Sequence, residues 1–419
     1  MASVVRFVLL RNLQVNTQLP RPSTPSQALQ LDPHVQFIYE LALARLELRR
    51  FGVEFDINPT LNIFRTVRLP DPIQLFERTA YITAIDQEPT RYALLRKYNR
   101  TRSINQYLTH WFYPYKGKFH PQMARALLNI MQLNPGNTVL DPFIGSGTTA
   151  VEAQLLGLRC IGVDISPLCI LVSRVKTEST RILDQVLEYQ HQYEVIARTA
   201  AKSKAQPPPS CLEESDDERV RNFFKVAELI AHSDQTRRSH PFIASFVGNL
   251  IRMSTSVQDM RDVYRQLNLT PGSVDIQHGD ARCLPLDDSS VDAILTSPPY
   301  AVTLDYIKND VHAFQALGYN PIVIRDNFIG VRGNKKNQID LYMEDIRQAY
   351  REMYRVLRPG CWCVIIIGNR RFGPELLDLP AVTIDLCSNA GFEFVRAVEK
   401  PIGGRRSGRG TESILMFIK

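Results

Sequence analysis

The feature that most constrains this chain is a strand, a glycine-bearing turn and a helix in immediate succession between Thr138 and Leu156. Thr138 to Leu140 reads as a short strand, Asp141-Pro142-Phe143-Ile144-Gly145-Ser146-Gly147-Thr148-Thr149 as the turn, and Gly147 to Leu156 as the helix. A second strand, Arg159 to Val163, follows at once, and the same alternation resumes with Ser273 to Gln277 and Asp292 to Leu295. It then runs through a helix ending at Arg358-Pro359-Gly360 into the strand Cys361 to Ile367. Strands separated by helices in this way mark a sheet that is mostly parallel. Phe392 to Ala397 and Ser413 to Ile418 close the chain as two strands able to pair antiparallel.

The alternation stops between about Lys176 and Thr270, where helices are separated by Pro207-Pro208-Pro209-Ser210 and the acidic run Glu213 to Glu218. Ile182, Val186, Tyr189, Tyr193 and Ile196 share one helical face there, so this stretch must pack against something and is more than a linker. At the amino-terminal side, a helix over His34 to Arg50 places Phe37, Leu41, Ala44 and Leu48 on one face and ends at Gly52. Strand-like runs Asn62 to Val67 and Tyr81 to Ile85 flank a helical stretch from Ile73 to Arg78, and a basic polar stretch, Arg96 to Asn105, follows. The expected organisation is an α+β module over residues 1–100, a doubly wound α/β domain over 101–175 and 271–419, and a helical insertion over 176–270.

Length and composition fit that plan. The chain has 419 residues, 44% hydrophobic and 22% charged, the balance of a globular chain with two or three domains. Apolar runs such as Phe7 to Leu10 and Cys361 to Ile367 are far below the ~20 residues a bilayer requires. Met1-Ala2-Ser3-Val4 lacks the features of a signal peptide, so a cytoplasmic location without membrane partners is expected. Seven cysteines include no Cys-x-x-Cys pair, which favours buried free thiols and implies no metal. A net charge of +7 suits a polyanionic partner.

Two motifs carry chemistry. Glycines after a strand let the backbone approach a ligand closely, and the following helix start offers unpaired N–H donors. Gly145 to Ala150 fits the loose fingerprint of dinucleotide enzymes, while the Lys of a phosphate-binding P-loop is absent. Asp164 ends the second strand, where a carboxylate can accept from ribose hydroxyls, so NAD and S-adenosylmethionine are both admissible at this point. The second motif, Thr296-Ser297-Pro298-Pro299-Tyr300, sits at the carboxyl end of the strand Val291 to Leu295. An aromatic base amine is a poor nucleophile because its lone pair is delocalised into the ring. Acceptors aimed at its two hydrogens pull the nitrogen toward tetrahedral geometry; the Ser297 hydroxyl supplies one and the Pro298 carbonyl the other, held by the stiffness of Pro298-Pro299. Tyr300 offers a ring on which an extruded base stacks. The same residues would also serve as a Pro-Pro turn with a core tyrosine.

Taken together, the Asp141 to Thr149 block, Asp164, Gly279-Asp280 and Ser297 to Tyr300 resemble the amino-methyltransferase superfamily. Ser-Pro-Pro-Tyr is similar to the form found in DNA methylases that act on cytosine N4. Tyr113-Pro114-Tyr115-Lys116-Gly117-Lys118-Phe119-His120-Pro121-Gln122, Asp305-Tyr306 and Gly330-Val331-Arg332-Gly333 are also similar to segments of those enzymes. The resemblance implies a Rossmann-like class I methyltransferase sheet with an antiparallel closing hairpin, and S-adenosylmethionine as cofactor. It further implies Asp164 on the ribose, Asp280 on the adenine amine, and Phe119, His120, Asp141, Phe143, Gly145, Ser146, Gly147 and Thr148 around the remainder of the cofactor. Ser297, Pro298, Pro299 and Tyr300 would form the catalytic motif.

The order here is cofactor block before catalytic block, whereas many DNA amino-methylases have the reverse, and the insertion lies between the ribose strand and Asp280. The helix around Phe37 to Arg49 with Phe64 to Leu69 and Leu75 to Tyr81 resembles the leading domain of tRNA guanosine-N2 methyltransferases, which share this order. Their motif usually has Asp before Pro-Pro-Tyr, and Ser297 departs from it. The expected activity is thus methylation of a base amine, cytosine N4 in DNA first, with a cognate restriction endonuclease as a partner. Guanosine N2 in RNA and a silent nucleic-acid-binding protein are the alternatives. Arg405, Arg406 and Arg409 are expected to meet phosphates, the Arg237-Arg238 pair to be a solvated helix connection, and His110, His120 and His312 to have no role as catalytic bases.

Overall fold

The computed structural model describes residues 26–98, 106–192, 215–300, 306–334, 337–372, 375–402 and 410–419. Its first sheet contains β1 (Ala28–Leu31), β2 (Glu54–Ile57), β3 (Ile63–Arg68), β4 (Ile82–Ile85) and β5 (Glu88–Pro89), all antiparallel in the order β2-β3-β1-β4-β5. The helix beside it spans Ile38–Arg50, starting four residues later than the periodicity predicts. The Glu40 carboxylate accepts from the N–H groups of Gln36 and Phe37 at 2.8 and 3.0 Å and starts the helix there. Its inward face is Tyr39, Leu43, Ala44, Glu47 and Leu48, and Phe37 is 38% exposed. Buried Glu47 explains that rotation, because it must face inward to accept from Asn129 Nδ2 at 2.7 Å and from the Ala80 N–H at 2.9 Å.

The second sheet is formed by β6 (Thr138–Asp141), β7 (Arg159–Asp164), β8 (Val274–His278), β9 (Val291–Thr296) and β10 (Leu357–Gly368), followed after a small ribbon of β11 (Arg370–Phe372) and β12 (Glu375–Leu377) by β13 (Glu393–Ile402) and β14 (Gly410–Ile418). Its order is β13-β14-β10-β9-β6-β7-β8, with β14 antiparallel to both its neighbours and β10, β9, β6, β7 and β8 paired in parallel. This is the doubly wound sheet with an antiparallel closing hairpin that the alternation implies. The chain leaves β6 toward β7 and β8, then crosses back to β9 on the other side. The carboxyl ends of β6 and β9 therefore diverge, and such a switch point is where open α/β sheets bind ligands.

Three apolar layers set this frame. On one face, Leu29, Leu43 and Phe64 join Met123, Leu127, Val139, Ala293 and Val364 in a single core, so the amino-terminal module is bound to the second sheet through the packed helices Ile38–Arg50 and Pro121–Ile130. On the other face, Leu140 and Ile294 meet Ile346, Tyr350 and Met353 of the helix Gln338–Val356. The inserted helices Glu218–Arg238 and Phe242–Gln266 bury Phe223, Phe224 and Leu250 against Trp111, Phe112 and Tyr113, and against Ile307, Phe314 and Phe328. Ile182 and Val186 join this layer as their spacing implies, while Tyr193, Ile196, the Pro207 to Ser210 run and Asp305 lie outside the described residues. No helix among the described residues is long and apolar enough to cross a membrane.

Glu152, on the helix Thr148–Leu155, is fully buried and gathers three polar side chains, two from the segment 107–111 and one from the helix Pro121–Ile130. Its carboxylate accepts from Tyr107 Oη at 2.5 Å, meets His110 Nε2 at 2.8 Å and lies 3.4 Å from Arg125 Nη1. Glu152→Ala would leave the buried Arg125 guanidinium without its carboxylate, a loss on the order of 3–5 kcal/mol. The expected outcome in a thermal melt is a midpoint lowered by several degrees, and an unchanged midpoint would show that this cluster adds nothing to stability.

Candidate active site

The glycine turn after β6 folds as it does because Gly145 and Gly147 take φ of 50° and 79°, in the left-handed region. A side chain at Gly147 would also bring its Cβ to 2.9 Å from Ser173 Oγ. That hydroxyl donates to the Gly145 carbonyl at 3.0 Å and clasps the turn to the helix Pro167–Glu178. Lys176 of the same helix donates to the Ser146 carbonyl at 2.6 Å and the His110 carbonyl at 3.1 Å. Burial pushes this ammonium well below its ordinary range.

Two carboxylates complete the turn. At the end of β7, Asp164 accepts from the Gly145 N–H at 2.9 Å and the Ser166 N–H at 2.8 Å. Asp141, at the end of β6, accepts from Thr149 Oγ1 at 2.7 Å and from Thr296 Oγ1 of β9 at 2.6 Å. Burial raises each of these carboxyls to about 6. Beyond β8, Asp280 is gripped by Arg282, whose Nε and Nη2 lie 3.0 and 2.6 Å from its oxygens. Arg282 also binds Asp345 at 2.8 Å, and Asp345 binds Arg332 at 2.6 Å, so the Gly330 to Gly333 stretch is tied to the turn that carries Asp280.

One pocket at the switch point, about 920 Å³ including its open mouth, collects Phe119, Phe143, Gly145, Ser146, Thr148, Asp164, Asp280, Ser297 and Pro299 from the sequence-predicted set. Ser297 Oγ donates to the Ile366 carbonyl of β10 at 3.0 Å, which leaves its lone pairs available as acceptors. Ser146 Oγ, on a residue of the pocket wall, is buried with no hydrogen-bond partner among the described residues.

Five expected residues are not on that wall. Both Asp141 oxygens accept from the threonines, and His120 instead precedes the helix Pro121–Ile130. Gly147 shapes the turn from behind it, and Pro298 contributes no lining. Tyr300 corrects the expectation of a stacking ring: it is 7% exposed, packed among Leu140, Ile294 and Leu415, with its hydroxyl donated to Glu412 of β14 at 2.9 Å. An apolar ring with one anchored hydroxyl is better placed in that core than in an open pocket. Arg405, Arg406 and Arg409 lie outside the described residues.

The structure adds residues that were given no role of their own. Tyr115 and Lys118 come from the Tyr113 to Gln122 segment already noted for its resemblance, while Cys169, from the helix after Asp164, and Asp310, Phe314 and Phe328, from the stretch after Tyr300, belong to no motif. Asp310 is buried and accepts from Tyr113 Oη at 2.7 Å. Arg237 reaches across from the insertion to the Asn309 carbonyl at 2.7 Å and to Asp310 at 3.4 Å. The expectation of a merely solvated pair at Arg237-Arg238 is thus corrected for Arg237, because a buried carboxylate attracts a cation from the nearest element.

A doubly wound sheet with this turn opens its pocket at the carboxyl ends of β6, β7 and β8, the place where open α/β sheets bind ligands. Residues 92–174 match the model of the DNA methylase family. The Type II methyltransferase M.MjaII of Methanocaldococcus jannaschii is 40% identical over 137 residues, 32% of this chain and 22% of that protein. M.BsoBI of Geobacillus stearothermophilus, also a Type II methyltransferase, is 36% identical over 88 residues, 21% of this chain and 17% of that protein. The tRNA (guanine(10)-N2)-dimethyltransferase of Methanothermobacter thermautotrophicus is 30% identical over 114 residues, 27% of this chain and 29% of that protein. The chain is similar to amino-methyltransferases over these segments, and it spans about a fifth of the length of the two Type II methyltransferases it matches.

The raised Asp141 carboxyl makes a signed prediction. A folded-state value near 6 against an ordinary 3.8 means that the native state holds the proton longer, so stability is lost as pH rises from 3.8 through about 6. Asp141→Asn can keep the contacts to Thr296 and Thr149 without ionising. The difference in melting temperature, variant minus wild type, is expected to grow from pH 4 to pH 6.5 and then level. A difference independent of pH would mean that Asp141 carries no such charge penalty.

Proposed function

We propose that this chain is an S-adenosylmethionine-dependent methyltransferase acting on an exocyclic amino group of a nucleic-acid base, with cytosine N4 in DNA as the leading target. The observation that carries this reading is that one pocket is lined both by the turn residues Gly145, Ser146 and Asp164 and by Ser297. The cofactor fits the residues present. Asp164 and Asp280 suit the hydroxyl and amine donors of a nucleoside, Phe143, Ile165 and Ile329 suit its apolar faces, and the unpartnered Ser146 hydroxyl suits a polar tail atom. When bound, S-adenosylmethionine supplies a methyl group on a sulfonium, ready for direct displacement.

The remaining chemistry belongs to the chain. Ser297, on the pocket wall, accepts one amine hydrogen and turns the nitrogen lone pair toward the cofactor side of the pocket. The Pro298 carbonyl, which the motif assigns to the second hydrogen, belongs to a buried residue just behind that wall. The Ile366 carbonyl fixes the Ser297 hydroxyl by taking its proton in a hydrogen bond, so that its oxygen faces the amine as an acceptor. No strong base is needed for attack once the lone pair is freed. The ring that packs the target base comes from Tyr115, Phe119, Phe314 or Phe328, since Tyr300 is held in the core. Guanosine N2 in RNA is the second reading, supported by the order of the motifs and by the tRNA methyltransferases among the relatives.

Two measurements test these statements. Nucleoside mass spectrometry of DNA and tRNA after incubation with the protein is expected to find N4-methylcytosine in DNA; N2-methylguanosine in tRNA would transfer the assignment to RNA, and no methylated base in either would overturn it. Ser297→Ala removes an acceptor whose contribution grows toward the transition state, so single-turnover rate is expected to fall roughly a hundredfold to a thousandfold with binding of cofactor and nucleic acid nearly unchanged. Equal losses in rate and binding would remove Ser297 from this role.

A further inference from the structure

Beside the cofactor pocket lies a second cleft, about 1210 Å³ including its mouth, between the inserted helical hairpin and the segment 106–118. We propose that this cleft holds the phosphodiester backbone of the substrate nucleic acid next to the target base. The inference rests on the function proposed above and names the element that would grip the polymer.

Charge is the first argument. Among the described residues, its lining has three obligate cations, Lys118, Arg238 and Arg252, against one carboxylate, Asp234. Asp234 accepts from Ser245 Oγ at 2.7 Å, Asn249 Nδ2 at 3.2 Å and Arg238 Nη1 at 3.1 Å, so Arg238 balances it and the cleft keeps an excess of two positive charges. Arg252 donates to the Gly248 carbonyl at 3.0 Å and to Asn249 Oδ1 at 2.6 Å, both neutral, so its charge is held in place without being cancelled. His240 adds a further donor group to the same wall. A fixed guanidinium facing an open polar cleft suits a phosphate, whose oxygens match its forked N–H groups.

Position is the second. Tyr115 and Lys118 line this cleft and the cofactor pocket alike, so a single wall one side chain thick separates the two. A strand lying along Arg238 and Arg252 could turn one base past Tyr115 toward Ser297. The hairpin is held at that distance by Arg237, whose contacts to Asn309 and Asp310 join the end of its first helix to the pocket wall. Ser239, with a φ of 56°, reverses the chain immediately afterwards and brings Arg238 and His240 to the mouth of the cleft.

The test uses the full chain and three proteins: wild type, Arg238→Ala/Arg252→Ala and Arg238→Lys/Arg252→Lys. Fluorescence anisotropy is measured with labelled duplex DNA and with labelled tRNA over a salt series, and S-adenosylmethionine affinity by calorimetry. The alanine pair is expected to bind the substrate polymer about tenfold or more weakly, with a shallower dependence of log affinity on log salt by about two, and to bind the cofactor like wild type. The lysine pair is expected to recover most of the affinity, because a phosphate requires charge, whereas a role of Arg252 in bracing Gly248 and Asn249 would need the guanidinium. Unchanged affinity and slope in the alanine pair, or a lysine pair as weak as the alanine pair, would overturn the assignment. If wild type binds both polymers and the variants equal it, only this cleft is excluded; if wild type binds the cofactor but neither polymer, the proposed function fails and the cleft assignment with it. Binding of duplex DNA alone or of tRNA alone identifies which polymer supplies the phosphodiester.

Discussion

The architecture of the site depends on one buried carboxylate at the sheet's switch point. The ends of β6 and β9 must part there to open a pocket, yet the loops that follow them have to stay in register. Asp141 does both, with one oxygen on Thr149 of the turn and the other on Thr296 immediately before Ser297. A buried charge is costly, and burial accordingly makes the Asp141 carboxyl a weaker acid than usual. The cost is tolerated because the same side chain joins the two motifs whose separation in sequence exceeds a hundred residues.

Other charged groups repeat this pattern one layer further out. Lys176 stands under the Ser146 carbonyl, Arg282 grips Asp280, and Asp345 holds Arg282 and Arg332 together. Each fixes a backbone turn that no regular hydrogen-bond ladder could hold, since these segments lie past the ends of the strands. Single-partner losses in such buried pairs leave an uncompensated charge, so the turns are rigid in a way that apolar packing alone would not provide. A site that must present acceptors at a defined place benefits from that rigidity.

The insertion has a structural consequence that its place in the chain disguises. Although it interrupts the sheet between β7 and β8, its helices pack against Trp111 to Tyr113 and against Phe314 and Phe328, the two segments that flank the pocket mouth. Arg237 adds a polar bond to the buried Asp310. The pocket is therefore walled by elements from before the first strand of the sheet, from the insertion and from the stretch after β9, all held by one apolar layer.

Local physics made much of this legible in advance. The strand, glycine turn and helix at Thr138 to Leu156, the β7 carboxylate and the Ser-Pro-Pro turn were readable because glycine at positive φ, an acid at a strand end and stiff prolines act over a few residues. Helix starts were less legible, as at Ile38, where a Glu40 side chain capping its own helix outweighed the apolar period. Tyr300 could be read as a stacking ring or a core residue, and only the approach of Glu412 from β14 decided it. Asp310 and Arg237 carried no local signal, because their roles arise from contacts across 197 residues in one case and 73 in the other. The sequence by itself determined the sheet's alternation and the chemistry of its two turns, since both follow from backbone preference and side-chain type; which side chains face the pocket and which the core was settled only by tertiary packing, because burial is a property of neighbours that the chain brings together from afar.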